Sequence, residues 1–322
     1  MQIDKIQFKI NKFSTKNSIK NLQVGVYKDG EIFRLSNSGN ISHQAFELAS
    51  ITKVFTGCAI MIAIEENKIS LNTTLEQILS NKFEISDSFK SITIEELLTH
   101  CSGLPNLPHL FLEKMQTNPT DPYSVLQKDD VFNYLSLQQT LGKKRYCYSN
   151  FGYGLLGLIL EHIYVFSYAD IMTKKIFDPL NMQFSSIGLS SKTENILEQG
   201  YSVEGKETTI WQDDVLAGAG SLISTCDDMM LFIKAHFASN SLKNILNTIL
   251  LPQTKKMAIS WHRQGWLGRI AGYKTYLWHN GCTGGYSSYI TLSIEKKTAF
   301  LILSSKGIIV DELGMDLLHY VS

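Results

Sequence analysis

Leu22–Lys28 (LQVGVYK) and Glu31–Leu35 (EIFRL) are short runs of β-formers, and the Asp29–Gly30 pair between them is a strong signal for a tight hairpin turn. The chain is therefore expected to open with antiparallel strands. From Ser50 the pattern changes. The segment SITKVFTGCAIMIAIEENKI is apolar on most sides of a helical wheel and reads as a buried helix. From Leu71 to about Phe237 the pattern is mainly helical, with irregular connections. Within it, Ile94–His100 reads as a short amphipathic helix stopped by Gly103 and Pro105, and Gly152–Phe166 as a longer apolar one. Strand patterns return at Gly265–Ile270, Lys274–His279 and Tyr286–Ile294. Lys296–Lys297 reads as a turn, Thr298–Ser304 as the last strand and Asp311–Val321 as a closing helix.

A lone hairpin is marginal in water, so the N-terminal strands need neighbours. The economical solution is one antiparallel sheet built from both ends of the chain and flanked by helices, an α+β fold. On this reading residues 1–70 and 230–322 form the sheet-containing region, residues 71–229 form a mainly helical insert, and a site lies between them. The 322 residues contain no internal repeat and no low-complexity linker.

Composition narrows the function classes. Lys plus Arg and Asp plus Glu both total 30, giving a formal charge of zero. A nucleic-acid binder would carry a basic excess or stripe, and neither is present. The longest apolar runs, Val54–Ile64 and Leu155–Ile163, fall short of the roughly 18–20 residues a membrane span requires. The first twenty residues hold lysines but no continuous apolar core, so they do not read as a secretory signal. The expected location is cytoplasmic if this N-terminus is native, and periplasmic or secreted if a leader has been removed. Five cysteines, an odd number with no CxxC, argue against a disulfide framework. With no HExxH and no Cys/His cluster, neither a metal nor another cofactor is expected.

Three short motifs carry candidate chemistry. Ser50 and Lys53 form SxxK, and on a helix i and i+3 share a face, so hydroxyl and amine can meet. A serine becomes a nucleophile only when a base takes its proton, and a lysine whose pKa is lowered by burial can do that. The motif alone is weak, because Ser293–Lys296 repeats it where a strand runs into a turn. Tyr148-Ser149-Asn150 precedes the apolar helix and offers a phenol and an amide two residues apart, although Ser149 or Asn150 would equally serve as a helix N-cap. His279-Asn280-Gly281, followed by Cys282-Thr283-Gly284-Gly285, is a glycine-rich strand edge that permits close backbone approach.

In this order and at these spacings, SxxK, YxN and HxG resemble the serine β-lactamase and penicillin-binding protein superfamily, whose SxxK, SDN and KTG version is well described. The YSN form resembles the class C β-lactamase branch, with its D-alanyl-D-alanine peptidases, esterases and aminopeptidases. LLTHCSGLP (Leu97–Pro105), GAGSLISTCDDMMLF (Gly218–Phe232) and WHNGCTGGYSSY (Trp278–Tyr289) also resemble segments of that branch, and the likeness covers roughly residues 20–320. It implies the DD-peptidase/β-lactamase fold. It further implies Ser50 as acylated nucleophile, Lys53 beside it, Tyr148 as general base or acid, Asn150 on the substrate's acyl amide, and the backbone N–H groups of Ser50 and Cys282 as oxyanion hole. Which of Lys53 and Tyr148 takes the first proton stays open, since coupled groups titrate together.

His279 departs from the lysine usual in class C β-lactamases. An imidazole of ordinary pKa about 6.5 is mostly neutral at pH 7, so a substrate carboxylate is anchored less well. The implied activity is a serine hydrolase acting on an ester, amide or D-amino-acid peptide bond of a small-molecule or peptide substrate. β-Lactamase activity proper, acyl transfer and a slowly deacylating penicillin sensor are the alternatives. Cys282 reads as a small residue beside the oxyanion hole, Cys147 as a packing residue, and His100 as a structural hydrogen-bonding group. Gly152–Gly157 matches GxGxxG but lacks the preceding apolar strand that dinucleotide binding needs. No GxSxG occurs. Substrate identity and oligomeric state are not legible at this level.

Overall fold

Asp29 and Gly30 both take positive φ, 50° and 101°, as a two-residue hairpin loop matched to strand twist requires. They join β1 (Leu22–Lys28) to β2 (Glu31–Ser36), with Lys28 opposite Glu31. The computed structural model describes residues 1–39, 43–138, 140–238, 242–249, 257–266 and 274–321. The remaining strands in chain order are β3 (Ala45–Glu47), β4 (Ser186–Ile187), β5 (Gly200–Tyr201), β6 (Glu207–Thr208), β7 (Leu222–Thr225), β8 (Met257–Ala258), β9 (Trp261–Trp266), β10 (Lys274–Cys282), β11 (Ser287–Ser293) and β12 (Thr298–Ser304).

The main sheet has seven strands in the order β2-β1-β12-β11-β10-β9-β8. Its pairings among the described residues are antiparallel, and Leu22 lies opposite Ser304. The two ends of the chain thus close one sheet. Of the strand expected at Gly265–Ile270, Gly265 and Trp266 lie in β9, and residues 267–270 lie outside the described residues.

β1 is buried along nearly its whole length, and two covering layers explain its lack of alternation. On one face, helix α1 (Ile3–Asn17) sets Ile6 and Ile10 against Val24, Val26, Phe300 and Ile302, together with Leu313 and Leu317 of the C-terminal helix (Asp311–Val321). The chain therefore opens with a helix, not with strands. Its Ile6, Phe8 and Ile10 alternate like a strand, yet Phe8 faces solvent, and the buried positions Ile6, Ile10 and Ser14 follow the helical spacing of four. On the other face, helix Cys226–Ala235 packs so closely that a Cβ at Gly25 would meet Met230 Sδ at 2.4 Å.

The larger core surrounds helix α2 (Thr52–Glu65), in which every residue from Thr52 to Ala63 is buried. Helix α3 (Asn150–Tyr164) packs beside it and is itself buried from Phe151 to Leu160. The middle of the chain is not helical throughout. A three-stranded sheet, β3-β7-β4, and a small hairpin, β5-β6, lie within or against it. Strands of two to four residues are too short to show periodicity. No single helix among the described residues is long and apolar enough to cross a membrane.

Candidate active site

The turn between β3 and α2 is a single 3-10 turn, Ala49–Ile51, and it carries Ser50. Ala49 holds a left-handed φ of 48°, a conformation that persists only when neighbours fix it. They do. Thr52 Oγ1 donates to Ala49 O at 2.6 Å and accepts from Leu222 N at 2.9 Å. Leu48 N donates to Leu222 O at 2.8 Å, and Ser288 Oγ donates to Leu48 O at 2.8 Å. β10 presses on the same turn: a Cβ at Gly281 would lie 2.2 Å from Leu48 O and 3.0 Å from the Ala49 Cβ. The close approach that Gly281 permits is therefore to the turn bearing Ser50.

Lys53 follows in the first turn of α2 and is completely buried. Its Nζ lies 3.1 Å from Ser50 Oγ, 2.7 Å from Asn150 Oδ1 and 2.6 Å from Ala219 O. The Tyr148 ring centre is 4.9 Å away. Burial drives the ammonium well below its ordinary pKa, and Asp213 opposes that only in part. An uncharged amine has two N–H groups and one lone pair. With both hydrogens given to the Asn150 and Ala219 oxygens, the lone pair is left for the Ser50 hydroxyl.

Ser149 caps α3: its Oγ accepts from Gly152 N at 2.8 Å and donates to Pro105 O at 2.6 Å. That cap fixes Tyr148 before the helix and Asn150 as its first residue. Burial raises the Tyr148 phenol above its usual pKa, and the neighbouring Ser50 opposes that in part. Asn150 Nδ2 reaches the Tyr123 hydroxyl at 3.4 Å. His100 holds this loop from behind. Its Nδ1 accepts the Ser149 N–H at 3.0 Å, its carbonyl accepts the Cys147 N–H at 2.8 Å, and its ring lies 4.6 Å from that of Tyr148.

His279 is buried, and its Nδ1 lies 2.7 Å from Asn280 O, which makes Nδ1 the protonated nitrogen. Burial, then the neighbouring His262 and Lys53, push its pKa well below the ordinary value. The ring packs 4.9 Å from that of His262 and 6.3 Å from that of Tyr148 and does not line the cleft beside Ser50. Cys282 does line it; although the residue is exposed, partial desolvation and the charge of Asp311 raise its thiol pKa, as expected of a small wall residue and not of a second nucleophile. Cys147, expected to pack inward, is exposed.

The cleft has a cavity volume of about 60 Å³, and Ser50, Asn150 and Cys282 share its walls with Tyr123, Trp211 and Asp213. These last three were not singled out from the sequence. They come from irregular segments and carry no spacing signal. Glu47 supports Trp211: it is buried, accepts the Trp211 N–H and the Thr283 hydroxyl, both at 2.8 Å, and is raised to a pKa of about 7 by burial. An acid inside the apolar run AFEL was the one visible hint of it. Among the described residues no group of three or more His, Cys, Asp or Glu side chains is placed to hold a metal ion.

Residues 7–315 match the family model described as Beta-lactamase. Protein flp of Staphylococcus aureus (strain N315) is 24% identical over 332 residues, covering 94% of this chain and 62% of that protein. Penicillin-binding protein 4* of Bacillus subtilis (strain 168) is 24% identical over 296 residues, 82% of this chain and 61% of that protein. The chain thus spans about three-fifths of the length of these two relatives. A class C β-lactamase from Rhodobacter sphaeroides superposes with a TM-score of 0.83 at 19% identity, covering 98% of this chain and 99% of that one. A D-alanine carboxypeptidase from Burkholderia cenocepacia superposes with a TM-score of 0.82 at 16% identity, covering 99% and 97%. Both share the fold.

Proposed function

The chain belongs to the β-lactamase family, and from that premise we propose that it is a serine hydrolase that passes through an acyl-enzyme on Ser50. The observation that carries the reading is the buried Lys53 amine, 3.1 Å from Ser50 Oγ with its other two contacts to oxygen acceptors.

Lys53 accepts the Ser50 proton as Oγ bonds to the substrate carbonyl carbon. The depressed lysine pKa and the raised tyrosine pKa favour Lys53 over a Tyr148 phenolate as first base. The oxyanion is met by the backbone N–H groups of Ser50 and Cys282, a type of contact whose loss costs about 10²–10³ in rate. The bond to the leaving group then breaks. Tyr148 gives its proton to the departing atom and takes the one held on Lys53. In the second half a water loses its proton to the same pair and attacks the ester carbon, and Ser50 leaves reprotonated. Asn150 Nδ2 is the group available to the acyl amide oxygen, because its Oδ1 is occupied by Lys53.

The neutral, buried His279 supports esterase or amidase chemistry over efficient β-lactam hydrolysis, since it supplies no cation to a β-lactam carboxylate. Intact-mass analysis after exposure to a nitrophenyl ester tests the nucleophile. The expected result is one acyl adduct on the native chain, mapped to Ser50 and absent from Ser50→Ala. An adduct of equal yield on Ser50→Ala would refute the assignment. Lys53→Ala is expected to slow acylation by about 10²–10⁴.

A further inference from the structure

Asp213 is the acidic side chain in the wall of the cleft beside Ser50, and among the described residues no lysine or arginine lines that cleft. Asp213 is fixed: its Oδ1 accepts the Leu216 N–H at 2.7 Å, and its carbonyl accepts the Ser221 hydroxyl at 2.9 Å. Facing the same space are Tyr123 and Trp211, with ring centres 5.5 Å apart and planes tilted by 41°. Two aromatic side chains and a carboxylate around one cleft are the chemistry that recognises an organic cation.

The surroundings point the same way. A second cleft, lined in part by Ile210 and Gln212 on either side of Trp211, also has Asp121, Glu194 and Glu198 in its wall and, among the described residues, no lysine or arginine. Asp121 accepts the N–H of Gln212, the residue between Trp211 and Asp213, at 2.9 Å. A substrate carboxylate entering here meets acids, while the nearby Lys53 amine is committed to Ser50, Asn150 and Ala219. Burial lifts Asp213 to about 7. An ammonium beside it holds the carboxyl ionised, because an opposite charge favours the charged form.

Resting on the acyl-serine reading above, we propose that the preferred acyl donor carries a positively charged amine, seated between Tyr123, Trp211 and Asp213. The substrate class is an amino-acyl ester or amide, in contrast to the carboxylate-bearing substrates that a cationic third motif would select.

The test uses the full chain and four nitrophenyl esters of matched length: hexanoyl, 6-aminohexanoyl, 6-(trimethylammonio)hexanoyl and the adipoyl half ester. The expected kcat/KM order is both cations above hexanoyl, by at least about tenfold, and hexanoyl above adipoyl. A primary amine ahead of the quaternary one assigns the larger share to Asp213, and the reverse order assigns it to the rings. In Asp213→Asn the cation-to-neutral ratio is expected to fall to within about twofold of unity. Should that variant not fold, Trp211→Leu is read the same way, with the trimethylammonio ratio expected to fall most. Ser50 labelled by hexanoyl ester with no charge preference, or with preference for adipoyl, overturns this inference and leaves the serine hydrolase reading standing. Failure of every ester to label Ser50 overturns the hydrolase reading, and this one with it.

Discussion

At the scale of single residues, the fold lowers the pKa of several bases by burying them. Lys53 is one, in contact with the nucleophile; His279, behind the cleft, and His236, away from it, are others. His236 Nδ1 bonds Phe232 O at 2.9 Å, its buried Nε2 has no hydrogen-bond partner among the described residues, and burial lowers its pKa to about 4. Because the folded value lies below the unfolded one of about 6.5, the unfolded chain binds the proton first. The contribution is therefore intact above pH 6.5 and is lost as pH falls towards 4. At about 1.36 kcal/mol per pH unit for one proton, the loss is on the order of 3 kcal/mol. Urea titrations at pH 7 and pH 4.5 should show His236→Phe losing less stability on acidification than the native chain. Parallel losses in the two proteins would contradict this. Ser50, Lys53, Tyr148 and Asn150 were legible as candidates because their chemistry is tied to short spacings, and the structure brings them together around one amine. Tyr123, Trp211 and Asp213 were not, because a wall built from irregular chain has no period to read.

At the scale of elements, the site depends on how closely β10 lies against the Ala49–Ile51 turn. Gly281→Ala would place a methyl group 2.2 Å from Leu48 O and 2.6 Å from Ser288 Oγ. Backbone cannot yield cheaply there, so the turn or the strand must shift by several tenths of an ångström. A shift of that order at a reacting group costs up to about 100-fold in rate. Acylation of Ser50 in this variant should be slowed by about 10- to 100-fold, with a far-ultraviolet dichroism spectrum like that of the native chain. Native acylation rates would show that the contact does not set the nucleophile's position. The hairpin, the buried helix α2 and the C-terminal strands could be read from patterning because each is long or carries a turn signal. Helix α1 was missed for a local reason: Phe8, an exposed aromatic between Ile6 and Ile10, imitates strand alternation.

At the scale of the whole molecule, the main sheet is covered on both faces, and one of the covers is the first element of the chain. Deleting residues 1–18 would uncover Val24, Phe300 and Ile302 and remove Ile6 and Ile10, both fully buried. Burial of each isoleucine contributes about 1.5–3 kcal/mol, so the deletion should cost about 3–6 kcal/mol. Thermal unfolding should shift down by roughly 5–15 °C, with new binding of a dye that reports apolar surface. An unchanged midpoint would mean that α1 is dispensable to the fold.

The pairing of Leu22 with Ser304 also bears on how the protein is made. A ribosome delivers β1 and β2 long before β12, the strand that must separate β1 from the rest of the sheet. Closing so long a loop is slow compared with forming local helices. Through most of synthesis the hairpin therefore has both edges open and no permanent neighbour, a state prone to pairing with other chains. A nascent chain stalled before Thr298 is the form in which a chaperone would bind most tightly, and in which aggregation would begin.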